Sequence, residues 1–281
     1  MVFESVAERD SGRLMNLDIE QKIKQSEKVI RACLEKFGVE KLAIAWTGGK
    51  DSTLMLWLFR KMCTDLGLAI PKCMFIDEGD LFEEIVNLVD TIKREWGIPL
   101  IVIKNTDVSS KVSALGGVIR VQDLNERNRS EIERLDFHEE SFLFEPESYV
   151  CNHLMKTVPM NTFIEENGIE ALATAIRWDE QAARSKEEYF SPRRHPHPEH
   201  TRVQPILHFR ERDIWDTTFR YNIPFCTLYH KGYRSLGVKS NTSKSSDLPA
   251  WEQDLENSSE RSGRGQDKEE IMSKLRDLGY M

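Results

Sequence analysis

The chain has 281 residues, 40% hydrophobic and 31% charged, enough to bury a sizeable core without a disulfide scaffold or a metal staple. Its 47 Asp plus Glu against 39 Lys plus Arg give a net charge of −8, which argues against a protein that coats nucleic acid or anionic lipid. Five cysteines, Cys33, Cys63, Cys73, Cys151 and Cys226, form no C-x-x-C pair and suit neither a disulfide framework nor a zinc site.

Met1 to Asn16 carries Glu4, Glu8, Arg9 and Asp10 in place of an apolar signal core, and no apolar run approaches the roughly 18 residues that span a bilayer. The expected compartment is a reducing cytoplasm. From Leu17 to Phe37 apolar residues recur at helical spacing, with Gly38 placed to end the helix, so residues 1–40 read as an N-terminal helical segment. Lys41 to Trp46 reads as a strand, Thr47-Gly48-Gly49 as a turn, and Ser52 to Leu66 as a helix. The pattern repeats: strand Pro71 to Ile76, helix Leu81 to Trp96, strand Pro99 to Ile103.

Such alternation predicts an α/β fold, a parallel sheet with helices on both faces. Ligands of such sheets bind at the carboxyl ends of the strands, which puts Thr47, Asp77 and Lys104 at one crevice. Residues 105–149 break the pattern and read as an insertion with some helix. A helix follows at about Asn152 to Asn167, then a strand at about Ala171 to Ala175, a polar loop to Glu199 and a helix from Glu211 to Tyr221. The main domain is thus expected over residues 41–237. Residues 238–281, Ser-rich and charged, read as a poorly structured tail that is mobile without a partner or ligand.

Thr47-Gly48-Gly49-Lys50-Asp51-Ser52 is the most informative stretch. Adjacent glycines let backbone N–H groups approach an anion, and the next helix aims its positive N-terminal end at the same point. Thr47 and Ser52 can donate hydroxyl hydrogen bonds, Lys50 can supply charge, and Asp51 can cap the helix or help hold Mg²⁺. A Walker A loop is excluded by Ile44 at its first glycine position and by Asp51 after Lys50; a G-x-G-x-x-G fingerprint is excluded by the adjacent glycines. The bland reading is a glycine turn that merely joins strand to helix.

This stretch resembles the S-G-G-x-D-S pyrophosphate loop of N-type ATP pyrophosphatases, with Thr47 in place of the first serine. The resemblance implies an adenine nucleotide alpha hydrolase-like, Rossmann-like fold. It also implies that the loop binds the β,γ-phosphates of ATP while an acceptor attacks the α-phosphorus. Arg177-Trp178-Asp179-Glu180 with Arg184-Ser185-Lys186-Glu187 resembles the R-R-D-E…R-A-K-E segment of the small subunit of sulfate adenylyltransferase, with Trp178 replacing the second arginine. Thr174-Ala175 replaces that family's paired glycines. Arg202 to Pro205, Asp213-Ile214-Trp215 and Ile223-Pro224 resemble a stretch that this subunit shares with phosphoadenosine phosphosulfate (PAPS) reductases. Ser259 to Arg264 with Gly279-Tyr280 resembles the S-E-R-x-G-R…G-Y-F tail of the adenylyltransferase subunit. Lys231 to Val238 resembles the G-Y-x-S-I-G-C segment of the reductases, with Val238 at the cysteine position.

These resemblances imply Lys50, Arg177 and Arg202 as catalytic cations, with Arg184 and Lys186 completing a clamp on anions; in isolation each reads as a solvated charge. Asp77 and Glu78 have an adenosine or magnesium role, or else form a helix N-cap before Leu81. The implied reaction is adenylyl transfer from ATP to an oxyanion, sulfate foremost, with Mg²⁺ and a GTPase large subunit as partner. Two other classes compete. One is a reductase of adenylated sulfur compounds, disfavoured because no cysteine follows Cys226, itself read as a core residue. The other is a module that binds adenine nucleotide without turnover. A tRNA base and a flavin stay open as acceptors, the −8 charge making nucleic acid the less attractive. His195 to His200 fits no metal spacing. Trp57, Trp96 and Trp215 are expected in the core, while Trp46 and Trp178 border the crevice.

Overall fold

The computed structural model describes residues 8–146, 148–181, 184–194 and 198–263. Two helices open the chain, α1 (Glu8–Met15) and α2 (Ile19–Phe37). Asp18 starts α2 in a capping box with Gln21, and Gly38 ends it at φ 71°. The pattern read from the sequence follows as β1 (Leu42–Ala45), α3 (Lys50–Leu66), β2 (Lys72–Ile76), α4 (Glu83–Trp96) and β3 (Leu100–Ile103).

Residues 105–149 form a small satellite. It holds α5 (Thr106–Ser109), an antiparallel pair β4 (Val118–Arg120) and β5 (Ser141–Leu143), and α6 (Glu126–Arg134). Ile119, Ile132, Phe142 and Leu154 give it a hydrophobic core of its own. The helix expected from Asn152 is a longer composite: α7 (Tyr149–Asn152), a π-helical turn at His153–Thr157, and α8 (Val158–Asn167).

Six strands make the main sheet. Beyond β6 (Ala171–Ala173), the stretch expected to be a polar loop contains β7 (Phe190–Arg193), and β8 (His200–Val203) follows it. Both lack an apolar run, because β7 is an edge strand that carries Pro192 and three of the four residues of β8, His200, Thr201 and Arg202, are polar. The order is β3-β2-β1-β6-β8-β7, parallel throughout except for the final antiparallel β8–β7 pair. Among the described residues the last α-helix is α9 (Glu211–Arg220).

Period-two alternation sends successive strand residues into two cores. Leu42, Ile44, Cys73, Phe75, Ala171 and Ala173 face α2, α3, α4 and α9. Ala43, Met74 and Leu172 face α8 through Met160, Phe163 and Ile164. The chain runs outward from β1 to β3 and returns to β6 on the other side of β1, so the topological switch lies between β1 and β6. The ends of these two strands carry Thr47 and Thr174 to the same crevice.

Three expectations change in detail. Trp57 and Trp96 are half-buried, whereas Trp215 is fully buried; Trp46 is fully buried and also lines the crevice. Trp178 also belongs to the core, its indole N–H donating to the Glu187 carbonyl at 2.8 Å, so it does not border the crevice. Residues 238–263 contain no α-helix or strand, as their composition predicts, yet Val238, Ala250, Gln253 and Glu260 are buried against the body. The rest of that segment, 264–281, lies outside the described residues. Among the described residues no helix is long and apolar enough to cross a membrane.

Candidate functional site

The glycine turn is held by its own hydroxyls. Thr47 Oγ1 lies 3.0 Å from Ser52 Oγ, Ser52 Oγ donates to the Gly49 carbonyl at 3.1 Å, and the Gly49 N–H donates to Thr47 Oγ1 at 3.4 Å. Gly48 sits at φ 73°, and a Cβ there would lie 3.0 Å from Val89 Cγ2 and 3.1 Å from Ile85 Cγ2, so α4 packs directly on the turn. Gly49 is the N-cap of α3, whose 17 residues direct their dipole at the crevice. The Lys50 N–H donates to the buried Tyr229 hydroxyl at 3.0 Å, and Trp46 Nε1 donates to Thr53 Oγ1 at 3.1 Å.

The turn opens on a cavity of about 350 Å³. Its apolar wall includes Met74 and Ile76 of β2, Leu172 of β6 and Met160 of α8. The π-helical turn contributes Lys156 and Thr157, with Lys156 Nζ 2.7 Å from Glu78 Oε2. Arg184, Arg202 and Arg261 also line the cavity. The family resemblance implies a clamp of cations on bound anions. The lining instead holds five basic side chains and four acidic ones: Lys50, Lys156, Arg184, Arg202 and Arg261 with Asp51, Glu78, Glu180 and Glu260. Charge there is closely paired.

The pairing is tightest around Lys50 and Arg177. Lys50 Nζ bonds Glu260 Oε1, donates to the Arg234 carbonyl at 3.0 Å, and lies 3.5 Å from Asp51 and 3.6 Å from Glu211. Arg177 bonds Asp51 and Glu260 and donates from Nε to Asp179 at 2.9 Å. Arg234 closes the group on Glu211 at 2.8 and 3.0 Å. Burial alone would lower the Lys50 pKa, but the carboxylates of Asp51, Glu260 and Glu211 outweigh it and hold the ammonium charged. Arg177 behaves likewise, burial being outweighed by Asp51, Glu260 and Asp179. For Glu260 burial would raise the pKa, and Arg177 and Lys50 pull it well below the carboxylate range. Glu211 goes the other way, pushed up by burial and by Glu260 against the pull of Lys50 and Arg234.

The structure therefore brings Thr47, Gly49, Lys50, Asp51, Ser52, Arg184 and Arg202 to one cavity. Gly48 backs the turn. Lys50 and Arg177 are not open cations: they are 2% and 0% exposed and already bound to carboxylates, because an unpaired charge at that depth would be costly. Asp77 also departs from expectation. Its carboxylate accepts from the Gly79 N–H at 2.8 Å and pairs with Lys104 at 2.9 Å, off the cavity wall, while Glu78 lines it. Lys186 is exposed and also off the wall. His195 to His197 lie outside the described residues, and His200 is buried with Nδ1 2.8 Å from the Pro198 carbonyl.

Sequence reasoning assigned no role to Tyr229, Glu211, Arg234, Glu260 or Arg261. Arg234, Glu260 and Arg261 stand inside stretches singled out by resemblance, which was a usable signal. Glu211 looks like any acidic residue in a first helical turn. Among the described residues no three His, Cys, Asp or Glu side chains are grouped to hold a metal. Asp51, 21% exposed at the cavity mouth, can offer one carboxylate to an ion that arrives with a phosphate ligand, but not a protein cage.

Known proteins show similar chains. The phosphoadenosine phosphosulfate reductase domain family matches residues 41–244. Sulfate adenylyltransferase subunit 2 of Mycolicibacterium vanbaalenii is 28% identical over 229 residues, covering 74% of this chain and 63% of that protein. The phosphoadenosine 5'-phosphosulfate reductase of Xylella fastidiosa is 22% identical over 224 residues, covering 80% of this chain and 81% of that protein. The crystal structure of Candida glabrata FMN adenylyltransferase shares the fold at TM-score 0.62 and 15% identity, covering 93% of this chain and 95% of that one. A family match over the whole main sheet, including the glycine turn and the lining residues Arg184 and Arg202, settles membership: this chain belongs to the phosphoadenosine phosphosulfate reductase domain family.

Proposed function

We propose that the chain is a nucleotidyltransferase that binds ATP and transfers its adenylyl group to an oxyanion, sulfate foremost. The observation that carries this reading is the Thr47 to Ser52 turn at the start of α3, opening on a cavity also lined by Arg184 and Arg202. The β,γ-phosphates take the hydroxyls of Thr47 and Ser52 and the dipole of α3; adenine takes the apolar wall of Met74, Ile76 and Leu172. An acceptor oxygen forms its bond to the α-phosphorus while the bond to the β-phosphate oxygen breaks, and pyrophosphate leaves with that electron pair. Arg202 and Arg184 stabilise the charge gathered on the α-phosphate, and the turn holds the leaving group in line. Asp51 would hold a magnesium ion brought with the triphosphate, which would neutralise phosphate charge. Lys50 and Arg177 act as positioning residues for Asp51 and the turn.

Reduction is disfavoured by the thiols. All five cysteines are buried; burial pushes Cys33 and Cys151 up to about 12 and Cys63 to about 11, and raises Cys226 as well. No thiolate is prepared at the cavity. Because sulfate adenylylation runs uphill, a GTPase large subunit of the sulfate adenylyltransferase kind is the proposed partner. The test is ATP–pyrophosphate exchange with sulfate, with FMN and with neither, each with and without such a subunit. Sulfate-dependent exchange supports the assignment, and exchange that answers only to FMN moves the acceptor to a flavin phosphate. Sulfite release with a thiol donor and no exchange would reject adenylyl transfer. Arg202→Ala is expected to slow exchange by about 10²-fold or more.

A further inference from the structure

We propose that residues 238–263 are a strap that completes the cavity, with Glu260 as a positioning residue that locks the glycine turn and Arg261 as a cation delivered to the bound anion. The Arg261 half rests on the phosphate-site reading above; the Glu260 half does not.

The strap is fastened along its length. The N–H groups of Lys239 and Ser240 donate to Asp80, at 2.9 Å to its carbonyl and 2.7 Å to its carboxylate. Gln253 donates to the Gly232 carbonyl at 3.1 Å, and Arg234 donates to Ser258 Oγ at 2.6 Å. Gly232, at φ 92°, lets the Ser246 carbonyl approach to a point only 1.8 Å from where a Cβ would stand, so the strap lies hard against the 232–237 segment.

At its far end the strap places two adjacent residues with opposite tasks. Glu260, 7% exposed, divides its two carboxylate oxygens between Lys50 and Arg177. Lys50 is the first residue of α3 and Arg177 follows β6. One carboxylate thus ties the turn after β1 to the loop after β6, across the switch point where a ligand would sit. Arg261, 19% exposed, also lines the cavity, with Nη1 3.3 Å from Glu180 Oε1. Glu180 also pairs with Arg184, so Glu180, Arg184 and Arg261 carry a net charge of +1 beside the cavity. A tie that is buried and a cation that is not are what an anion site needs from a closing segment.

The full chain and its Glu260→Gln, Glu260→Asp and Arg261→Ala variants would be titrated calorimetrically with inorganic pyrophosphate. Amide hydrogen exchange would be followed over residues 47–53 and 177–187. Arg261→Ala is expected to weaken pyrophosphate binding about tenfold with exchange unchanged. Glu260→Gln is expected to speed exchange in both segments while β2 and β3 stay protected, and Glu260→Asp to restore part of the protection. Unchanged exchange in Glu260→Gln, or tighter pyrophosphate binding there, would overturn the tie, the latter marking Glu260 as an internal competitor. Unchanged binding in Arg261→Ala would overturn the cation. If Glu260→Gln does not fold, Glu260→Asp decides by the same exchange measurement. If wild-type chain shows the Glu260 tie by exchange but no adenylyl transfer, the proposed reaction fails and the tie stands.

Discussion

The glycine turn and the network that holds it are built in opposite ways. Thr47 to Ser52 is contiguous, and the hydrogen bonds among its own residues run two to five positions apart. The network around Lys50 draws on Arg177, Glu211, Arg234 and Glu260, from β6 onward to the strap. The first uses backbone geometry and neighbouring hydroxyls, both written in local order. The second balances buried charge, which depends only on what the finished fold brings together. A cation in a binding motif can therefore be spent on neighbouring carboxylates before any ligand arrives.

That contrast can be tested hardest in the network. Arg234→Ala leaves the Glu211 carboxylate, 3% exposed, without its guanidinium, and should destabilise the fold by about 3–5 kcal/mol, read by urea denaturation. A loss under 1 kcal/mol would mean that the network is decorative. The turn is challenged by Gly48→Ala, where positive φ and contact with Val89 and Ile85 should cost about 1–3 kcal/mol and abolish nucleotide binding in calorimetry. If binding survives, the turn is less strictly specified than its contiguity implies.

A third test concerns buried polar groups outside the site. His208, with Nε2 2.9 Å from the Lys22 carbonyl and Nδ1 3.0 Å from the Tyr189 hydroxyl, is lowered to about 4, chiefly by burial. Between pH 6.5 and 4 the unfolded chain takes up a proton at this residue that the folded chain does not, so its contribution to stability is full above pH 6.5 and falls with pH to about 4. At pH 5 the loss should be about 2 kcal/mol relative to pH 7, and His208→Gln should remove that part of the slope in denaturation curves. The smallest effect is expected for Arg127→Ala. Its pair with Glu165 at 2.8 Å is 40% and 42% exposed and should change stability by less than about 1 kcal/mol, a reference for charge pairs outside the network.

The legibility of the sequence follows the same division. The β1–α3–β2–α4–β3 run was readable because each element announces itself by period and punctuation, with Gly38, Gly67 and Gly97 ending helices near their apparent limits. β7 and β8 were not, since an edge strand with Pro192 and a neighbour containing His200, Thr201 and Arg202 carry no apolar signature. Motif and chemistry single out Thr47 to Ser52, Arg184 and Arg202, and the fold brings them to one cavity. The burial of Lys50 and Arg177 was not readable, because nothing near them in the chain reveals Glu260. Residues 238–263 were underrated because low apolar content reports the absence of a core and says nothing of anchoring by Asp80, Gln253 and Arg234.

The side chain of Lys50 gives the hexapeptide a limited portability. Moved alone onto another strand–helix junction, Thr47 to Ser52 would keep its backbone cradle and lose Glu260, Glu211 and the Arg234 carbonyl together. The lysine would then either reach into solvent or lie across the open face of the turn. In a graft or a designed enzyme, position 50 is thus where the host scaffold must be consulted, and an uncharged residue there is the safer starting point.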